Sequence, residues 1–216
     1  MVYICGIDEA GRGPVIGPLV IVGALISEHD NSKLKSLGVK DSKLLSPLQR
    51  ENIFKELKKV VKSKIIKISP KEIDNAVEGK ESNLNWLEAD NTVKILNELK
   101  PNKAYIDCPS NNIQAYKNYL QKKLKHDIEL HVGHKMDSTA EICSAASIIA
   151  KVTRDEEIEN IKKKIKIDFN SGYPSDSKTQ EFLKKHHKDY PDIIRKSWDS
   201  YKRLIETKKQ KKIGEF

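Results

Sequence analysis

Acidic side chains stand where predicted strands end. Asp8 and Glu9 follow an apolar strand at 2–7, Asp107 ends another, and Asp137 follows a third, directly before a helix. In open α/β sheets, ligands bind outside the carboxyl ends of the strands. Carboxylates gathered there repel one another unless a cation neutralises them, and oxygen ligands without His or Cys suit Mg²⁺ or Mn²⁺. The pattern predicts a divalent-metal site, although any single acid could equally be a solvated residue or a helix cap.

A glycine-rich turn, Gly11-Arg12-Gly13, follows the acidic pair. Glycines allow backbone N–H groups to approach a ligand closely. Two phosphate-binding motifs fit only in part. The Lys-Ser/Thr of a P-loop is missing after Gly11, and position 16 is Ile where a dinucleotide fingerprint has its third glycine. A plain turn is the remaining alternative.

The chain of 216 residues is basic, and its charge is unevenly spread. It carries 40 Lys and Arg against 31 Asp and Glu, a formal charge of +9. Residues 151–216 hold 18 basic and 12 acidic residues, so two-thirds of the excess lies in the last third of the chain. A basic surface suits nucleic acid or an anionic membrane, and solubility is the alternative reason for it. With 38% hydrophobic and 33% charged residues, the chain is neither disordered nor membrane-embedded.

Cysteine usage and the N-terminus indicate the cytoplasm. The three cysteines are odd in number and widely spaced, and they form neither a zinc pattern nor a disulfide framework. The first residues lack the basic region of a signal peptide. The longest apolar run, at 15–26, is too short to span a bilayer. We therefore expect a cytoplasmic monomer without a membrane partner.

The elements that must position these residues follow from apolar periodicity and capping signals. The predicted strands are at 2–7, 15–26, 64–68, 103–107 and 128–132. Helices are predicted at 46–61, from Ser69, at 83–99, 113–124, 138–166, 177–187 and 191–205, with Ser46, Ser69 and Ser138 each opening a capping box. The first three strands are close enough in sequence for antiparallel pairing, whereas helices separate the last two, as parallel neighbours require.

This order predicts an α/β fold: a mixed five-stranded sheet with helices on both faces, followed by a helical C-terminal region. We divide the chain into a catalytic domain at 1–168, a helical substrate-binding region at 169–206 packed on it, and a flexible basic tail at 207–216. If the first and fourth strands are neighbours, Asp8 and Asp107 lie side by side. Asp137 then completes the group from the helix end.

Several segments in order carry a resemblance to one family. Residues 6–14 (GIDEAGRGP) resemble the signature of ribonuclease HII, the type 2 ribonuclease H. The resemblance continues through 41–46 (DSKLLS), 83–88 (NLNWLE), 105–107 (YID), 134–137 (HKMD), 144–148 (SAASI) and 172–176 (GYPSD). It covers residues 2 to about 205 and is closest to archaeal members. Position 136 is Met where Ala is more usual. The related type HIII enzymes carry an extra N-terminal domain and lack the Arg of the glycine turn.

The resemblance implies a ribonuclease-H-like fold and a set of roles. It implies that Asp8, Glu9, Asp107 and Asp137 are the catalytic carboxylates and hold two Mg²⁺ or Mn²⁺ ions. The implied substrates are RNA–DNA hybrids and duplex DNA with embedded ribonucleotides, cut to leave a 3′-hydroxyl and a 5′-phosphate.

The resemblance also implies substrate-binding residues. The implied ribose sensor consists of Gly11, Arg12, Gly13 and Tyr173, because the 2′-hydroxyl distinguishes RNA from DNA. Tyr173 would stack on the next deoxyribose, although its spacing also fits a loop aromatic that packs on Pro174. For Ser42, Lys43 and Lys135 we expect contacts with substrate phosphates, with a solvated lysine as the alternative for Lys135.

The tail contains Gln210, Ile213 and Phe216 at positions 1, 4 and 7 of a short segment. This spacing resembles a peptide that binds a sliding clamp, although the usual final aromatic is absent. A lysine-rich tail can also match this pattern by chance.

Two other classes of protein compete with this interpretation. Another Mg²⁺-dependent nuclease of the same fold would share the carboxylates but not the glycine turn with Tyr173. A non-catalytic basic protein would bind nucleic acid without needing the acids. Cleavage of a DNA duplex that carries one ribonucleotide separates the three.

Overall fold

A computed structural model of the chain describes residues 1–40, 42–80 and 82–213, except for the side chains of Lys43 and of 207–213. Its centre is one five-stranded mixed sheet in the order β3-β2-β1-β4-β5. The strands are β1 Tyr3–Ala10, β2 Leu19–Ser27, β3 Lys62–Ile68, β4 Lys103–Asp107 and β5 Glu129–Gly133. The predicted mixed five-stranded sheet is confirmed.

Strand pairing also follows the prediction. β1 pairs antiparallel with β2, and β2 pairs antiparallel with β3. β1 lies parallel to β4, which lies parallel to β5. Ile7 is level with Ile106 in the β1–β4 register, so the next residue of each strand, Asp8 and Asp107, lies at the same level of the sheet.

Helices cover both faces of the sheet, as predicted. They are α1 Asn31–Ser36, α2 Pro47–Val60, α3 Pro70–Glu78, α4 Leu84–Leu99, α5 Ile113–Lys123, α6 Glu141–Ile165, α7 Ser177–His186 and α8 Asp199–Ile213. One core joins the sheet to α1, α2 and α6, and a second joins its other face to α3, α4 and α5. The short helix α1 was not predicted. None of the helices in the described ranges is both long and apolar enough to cross a bilayer.

Local capping accounts for two of the helix starts. Ser46 accepts a hydrogen bond from the backbone N–H of Gln49, and the Gln49 side chain accepts one from the Ser46 N–H. Ser69 and Glu72 form the same reciprocal pair at the start of α3. These capping boxes satisfy N–H groups that the first turn of a helix leaves without partners. Two of the three predicted capping boxes are thus confirmed.

The predicted capping box at Ser138 is wrong. Ser138 lies in a short 3₁₀ turn, Met136–Ser138, and α6 begins three residues later at Glu141. The Ser138 hydroxyl donates to the Lys135 carbonyl, 2.7 Å away. The 3₁₀ turn directs Asp137 into the interior, where its side chain is only 2% exposed.

The predicted helix at 191–205 is also wrong, because it is interrupted. A 3₁₀ turn covers Pro191–Ile193, and α8 begins only at Asp199. Between them, Ile194 pairs with Ile16 as an isolated antiparallel bridge, and Arg195 is fully buried. Helix α8 then continues to Ile213, beyond the predicted end.

The C-terminal region packs on the loop between β1 and β2. Val15 and Ile16 from that loop share a core with Phe169, Phe182 and Ile194. The amide N–H groups of Val15 and Ile16 both donate to the Gly172 carbonyl, at 2.9 and 3.2 Å. The loop that carries the glycine turn is therefore fixed by residues more than 150 positions away in the sequence.

Candidate active site

The four predicted carboxylates come from neighbouring elements at one sheet edge. Asp8 lies near the end of β1, Asp107 ends β4, and Asp137 lies in the turn after β5. Their negative charges affect one another, because Asp107 and Asp137 both raise the pKa of Asp8. The structure therefore brings together the residues that the strand-end pattern singled out.

Asp8 is a buried acid near the end of β1. Its side chain is 5% exposed, and burial is the main reason why its pKa rises to about 7. A hydrogen bond from Ser147 and another from the Glu9 backbone N–H, 2.7 Å from Oδ1, oppose that rise. The ionised form of Asp8 is therefore disfavoured in this site.

A chain of buried polar groups supports Asp8 from α6. Ser147, the hydrogen-bond partner of Asp8, lies with its hydroxyl 2.8 Å from that of Ser42. The Lys151 ammonium in turn donates to the Ser42 hydroxyl. Hydrogen bonds of this kind stabilise the ionised form of a buried acid.

Ser42 is fully buried, and its hydroxyl is hydrogen-bonded to Ser147 and Lys151. These contacts link it to the groups that support Asp8. The Lys43 side chain lies outside the described residues. Lys135 is exposed in a left-handed conformation with φ of 58°, two residues before Asp137.

Glu9 faces a fifth carboxylate, Glu88 of α4. Burial and the charges of Asp8 and Glu88 raise the pKa of Glu9 well above its ordinary value. Burial likewise raises the pKa of Glu88 to about 7, against the opposing effect of Arg12. Glu88 is 2% exposed, and its Oε2 has no hydrogen-bond partner among the residues described.

The remaining two acids are tied into the turn after β5. The backbone N–H of Met136 donates to Asp107 Oδ1 at 3.0 Å, and Ser144 of α6 donates to the Asp137 carbonyl at 2.5 Å. Within the described ranges, no three His, Cys, Asp or Glu side chains form a preassembled metal cage.

The glycine turn lies next to this edge. Gly11 has φ of +84°, and a Cβ atom there would lie 2.7 Å from the Pro18 carbonyl oxygen, so only glycine fits. The Arg12 side chain is held by Glu88 at 2.9 Å and by Asn85 at 2.7 Å. The turn is thereby linked to the acidic cluster through Glu88.

Tyr173 lies beside the glycine turn, as the sequence interpretation required. A Cβ atom on Gly13 would lie 3.4 Å from Tyr173 Cε1, so the ring and the turn are in contact distance. The ring is 42% exposed and stands 5.6 Å from the Arg154 guanidinium. Arg154 also donates to the Ser171 carbonyl at 2.6 Å, which fixes the loop that carries the tyrosine.

Sequence reasoning gave no role to Glu88, Ser147, Lys151, Arg195 or Trp198. Glu88 and Ser147 lie inside segments that carry the family resemblance, so the signal was present without an assigned role. Arg195 and Trp198 lie where a continuous helix was predicted, and nothing local marks them. Their contacts join residues far apart in sequence.

Comparison with known proteins identifies close relatives. The family model for Ribonuclease HII matches residues 5–201. Ribonuclease HII from Pyrococcus abyssi is 43% identical over 216 residues, which cover 97% of this chain and 94% of that protein. A crystal structure of ribonuclease H2 from Pyrococcus horikoshii matches with a TM-score of 0.86 and 42% identity, over 95% of this chain and 98% of that one. A PCNA:RNase HII complex from Archaeoglobus fulgidus matches with a TM-score of 0.83 and 38% identity, over 92% and 96%.

Proposed function

The chain belongs to the ribonuclease HII family and is an endonuclease of the ribonuclease H type, and from this premise we propose its substrates and mechanism. It hydrolyses the RNA strand of RNA–DNA hybrids and nicks DNA duplexes on the 5′ side of an embedded ribonucleotide. In each case the bond between phosphorus and the upstream O3′ breaks. The products are a 3′-hydroxyl and a 5′-phosphate.

One observation carries the proposal: two of the acids and the ribose-reading turn lie within a single six-residue stretch at one sheet edge. Asp8 and Glu9 lie near the end of β1, and Gly11–Gly13 follow within four residues of Glu9. The Arg12–Glu88 ion pair connects the two groups. A ribose held on the turn therefore presents its neighbouring phosphate to the carboxylates.

The donor set fits a hard divalent cation. Asp8, Glu9, Asp107 and Asp137 supply oxygen ligands, and their mutual repulsion is what a cation relieves. These four residues would hold two Mg²⁺ or Mn²⁺ ions. When bound, such ions neutralise the phosphate charge and lower the pKa of a coordinated water.

The protein's own groups then orient the substrate. Backbone N–H groups of the glycine turn contact the 2′-hydroxyl, and the exposed ring of Tyr173 stacks on the sugar that follows. Lys43 and Lys135 bind the phosphates next to the scissile bond. Basic groups of the C-terminal region contact the duplex backbone, and this contact weakens as salt rises.

The competing functions fit this arrangement less well. Another nuclease of the fold would not need Tyr173 next to the glycine turn. A non-catalytic binding protein would not need acids whose pKa values are raised by burial, because such groups make the fold less stable at neutral pH. The three free thiols are buried, which supports the cytoplasmic setting that we propose.

We also propose a sliding clamp as a protein partner. The solved Archaeoglobus fulgidus complex pairs a relative with PCNA. Gln210, Ile213 and Phe216 supply the corresponding peptide spacing. Their side chains lie outside the described residues, so this proposal depends on the sequence and on the relative.

Cleavage of a DNA duplex with one central ribonucleotide tests the main proposal. We expect nicking 5′ of the ribonucleotide with Mg²⁺ or Mn²⁺ and none with EDTA. Asp8→Asn should lower turnover at least about a thousandfold while leaving the circular dichroism spectrum unchanged, because a central ligand and charge are lost. Binding without nicking would support the non-catalytic alternative. Near-normal turnover of Asp8→Asn would refute the carboxylate assignment.

A further inference from the structure

A short C-terminal segment, residues 194–198, runs directly against the loop that carries the glycine turn. We refer to it as the strap. Its Ile194 pairs antiparallel with Ile16. The Arg195 N–H donates to the Val15 carbonyl at 2.9 Å, and the Gly17 N–H donates back to the carbonyl of the residue that precedes the strap, at 2.8 Å. The strap is therefore a backbone partner of the loop.

Arg195 uses its guanidinium to bind carbonyl groups of the loop. It donates to the Gly11 carbonyl at 2.6 Å, to that of Arg12 at 2.9 Å, and twice to that of Gly17 at 3.0 and 3.1 Å. The side chain is fully buried. Burial of an unpaired charge is costly, and charge-assisted hydrogen bonds to carbonyls compensate for that cost. The position of the guanidinium is thus tied to the geometry of the turn.

Trp198 binds the third carbonyl of the turn. Its indole N–H donates to the Gly13 carbonyl at 3.0 Å. The indole ring also lies 4.9 Å from the Arg195 guanidinium, within the range of a cation–π contact. All three carbonyls of the glycine turn therefore accept hydrogen bonds from the strap.

The hydrogen bonds to the carbonyls of the turn also determine where its backbone N–H groups point. In a trans peptide the C=O of one residue points away from the N–H of the next, and the described chain has no cis peptide bond. Because the carbonyls of Gly11 and Arg12 face the strap, the N–H groups of Arg12 and Gly13 point away from it. Neither N–H has a hydrogen-bond partner within the described part of the chain.

The strap is itself anchored. Asp74 of α3 accepts hydrogen bonds from the backbone N–H groups of Lys196 and Ser197, each at 2.9 Å, and from the Ser197 hydroxyl at 2.6 Å. The anchoring carboxylate comes from a helix packed against the sheet. Asp74 therefore connects the strap, and through it the glycine turn, to a helix that packs on the sheet.

We propose that the strap is a specificity-determining element, in which Arg195 and Trp198 are positioning residues. Arg195 aims the Arg12 and Gly13 N–H groups at the ribose 2′-hydroxyl, and Trp198 fixes the Gly13–Pro14 peptide that closes the same turn. This inference rests on the proposed function, in which the glycine turn contacts that hydroxyl. The two residues act through the backbone and need not touch the substrate. Their loss should therefore weaken ribose discrimination before it weakens catalysis or duplex binding.

Trp198→Phe is the sharpest test, because it keeps an aromatic ring and removes only the N–H donor. The assay measures KM for a duplex with one ribonucleotide, and Ki for the all-DNA duplex of the same sequence as a competitor. We expect the ratio of Ki to KM to fall by roughly three- to tenfold, the range expected for one hydrogen bond, with kcat within about twofold of the original. Arg195→Lys, which keeps the charge but loses the planar fork of donors, should lower the ratio further.

Trp86→Phe provides the matched control, because Trp86 is the only other tryptophan in the sequence and stacks on Tyr119 instead. It should leave the ratio unchanged. It also leaves Trp198 as the sole indole fluorophore, whose emission should change more on binding the ribonucleotide duplex than on binding DNA alone.

The outcomes separate the two levels of inference. If the unsubstituted protein shows equal values of Ki for the all-DNA duplex and KM for the ribonucleotide duplex, the proposed ribose recognition is refuted, and this inference with it. A preserved preference in folded Trp198→Phe and Arg195→Lys would refute the role of the strap alone. If Trp198→Phe does not fold, the ratio of Ki to KM in Arg195→Lys and the emission of Trp198 in Trp86→Phe test the role of the strap instead.

Discussion

Asp8 illustrates how a single residue can favour chemistry over stability. Its pKa is about 7 in the folded chain, against an ordinary value of 3.8, chiefly because it is buried. An acid with a raised folded pKa binds its proton more tightly when folded than when unfolded. Ionisation of this group therefore lowers the stability of the metal-free protein as pH rises from about 4 to about 7. A bound cation would remove that penalty.

Asp8→Asn should therefore stabilise the metal-free protein at neutral pH while it abolishes cleavage. We expect a gain on the order of 2 kcal/mol in the free energy of unfolding at pH 7.5, and a much smaller gain at pH 4.5. Thermal unfolding in EDTA at both pH values measures it. Asp168→Asn is the control with the opposite sign, because hydrogen bonds from Lys178 and Asn170 lower the pKa of Asp168 to about 2. An equal effect of Asp8→Asn at both pH values would contradict the argument.

The sequence was sufficient to identify site residues whose position follows from local structure. Asp8 and Asp107 could be grouped because strand ends are visible in the apolar pattern. The partner of Arg12 could not be identified, because Glu88 is 76 positions away and lies inside an amphipathic helix. Arg195 reaches the Arg12 carbonyl over 183 positions. Such contacts depend on how the whole chain packs, which periodicity does not encode.

At the scale of elements, the close approach of α6 to β1 holds the site together. A Cβ atom on Gly6 would lie 2.2 Å from the Ile142 carbonyl oxygen, so the strand and helix backbones almost touch there. Farther along the same helix, Cys143 donates to the Tyr105 carbonyl at 3.0 Å, and Ser147 reaches Asp8. The separation between helix and sheet therefore determines whether the Asp8 support forms.

Gly6→Ala should push α6 away from the sheet, because the added methyl group meets rigid backbone. We expect a loss of at least about 2–3 kcal/mol in the free energy of unfolding, or a fall in Tm of roughly 5–10 °C, together with a large loss of turnover. Differential scanning calorimetry and the single-ribonucleotide assay measure these effects.

Gly133→Ala is the control for stability, because its Cβ atom would meet only the flexible end of Met136, at 3.1 Å. Its Tm should fall much less than that of Gly6→Ala. Similar unfolding temperatures for the two variants would show that the close approach at Gly6 is not limiting.

Elements were predictable where local signals suffice. The helices at Ser46 and Ser69 begin where their capping boxes indicate, because those hydrogen bonds span three residues. The interruption before α8 was not predictable. There, pairing with Ile16 and burial of Arg195 outweigh the helical periodicity of 191–205. In the strap, tertiary contacts therefore override the local preference for a helix.

At the scale of the whole molecule, the tail combines two properties that the sequence alone cannot separate. It contains four lysines, at 208, 209, 211 and 212, and the spacing that resembles a clamp-binding peptide. Lysines bind nucleic acid through long-range charge, and this attraction decreases with salt. Aromatic and aliphatic anchors instead bind protein pockets through buried apolar area.

Substitutions that separate charge from anchors distinguish the two roles of the tail. Gln210→Ala with Phe216→Ala keeps all four lysines, and we expect it to weaken binding to an archaeal sliding clamp at least about tenfold, while cleavage and its salt dependence stay unchanged. Replacing the four lysines by glutamine should keep most clamp binding but weaken duplex binding and flatten its dependence on salt. Calorimetry with the clamp and duplex binding at several salt concentrations measure both effects. Clamp binding that survives the loss of Gln210 and Phe216, but not the loss of the lysines, would show that charge alone recruits the partner.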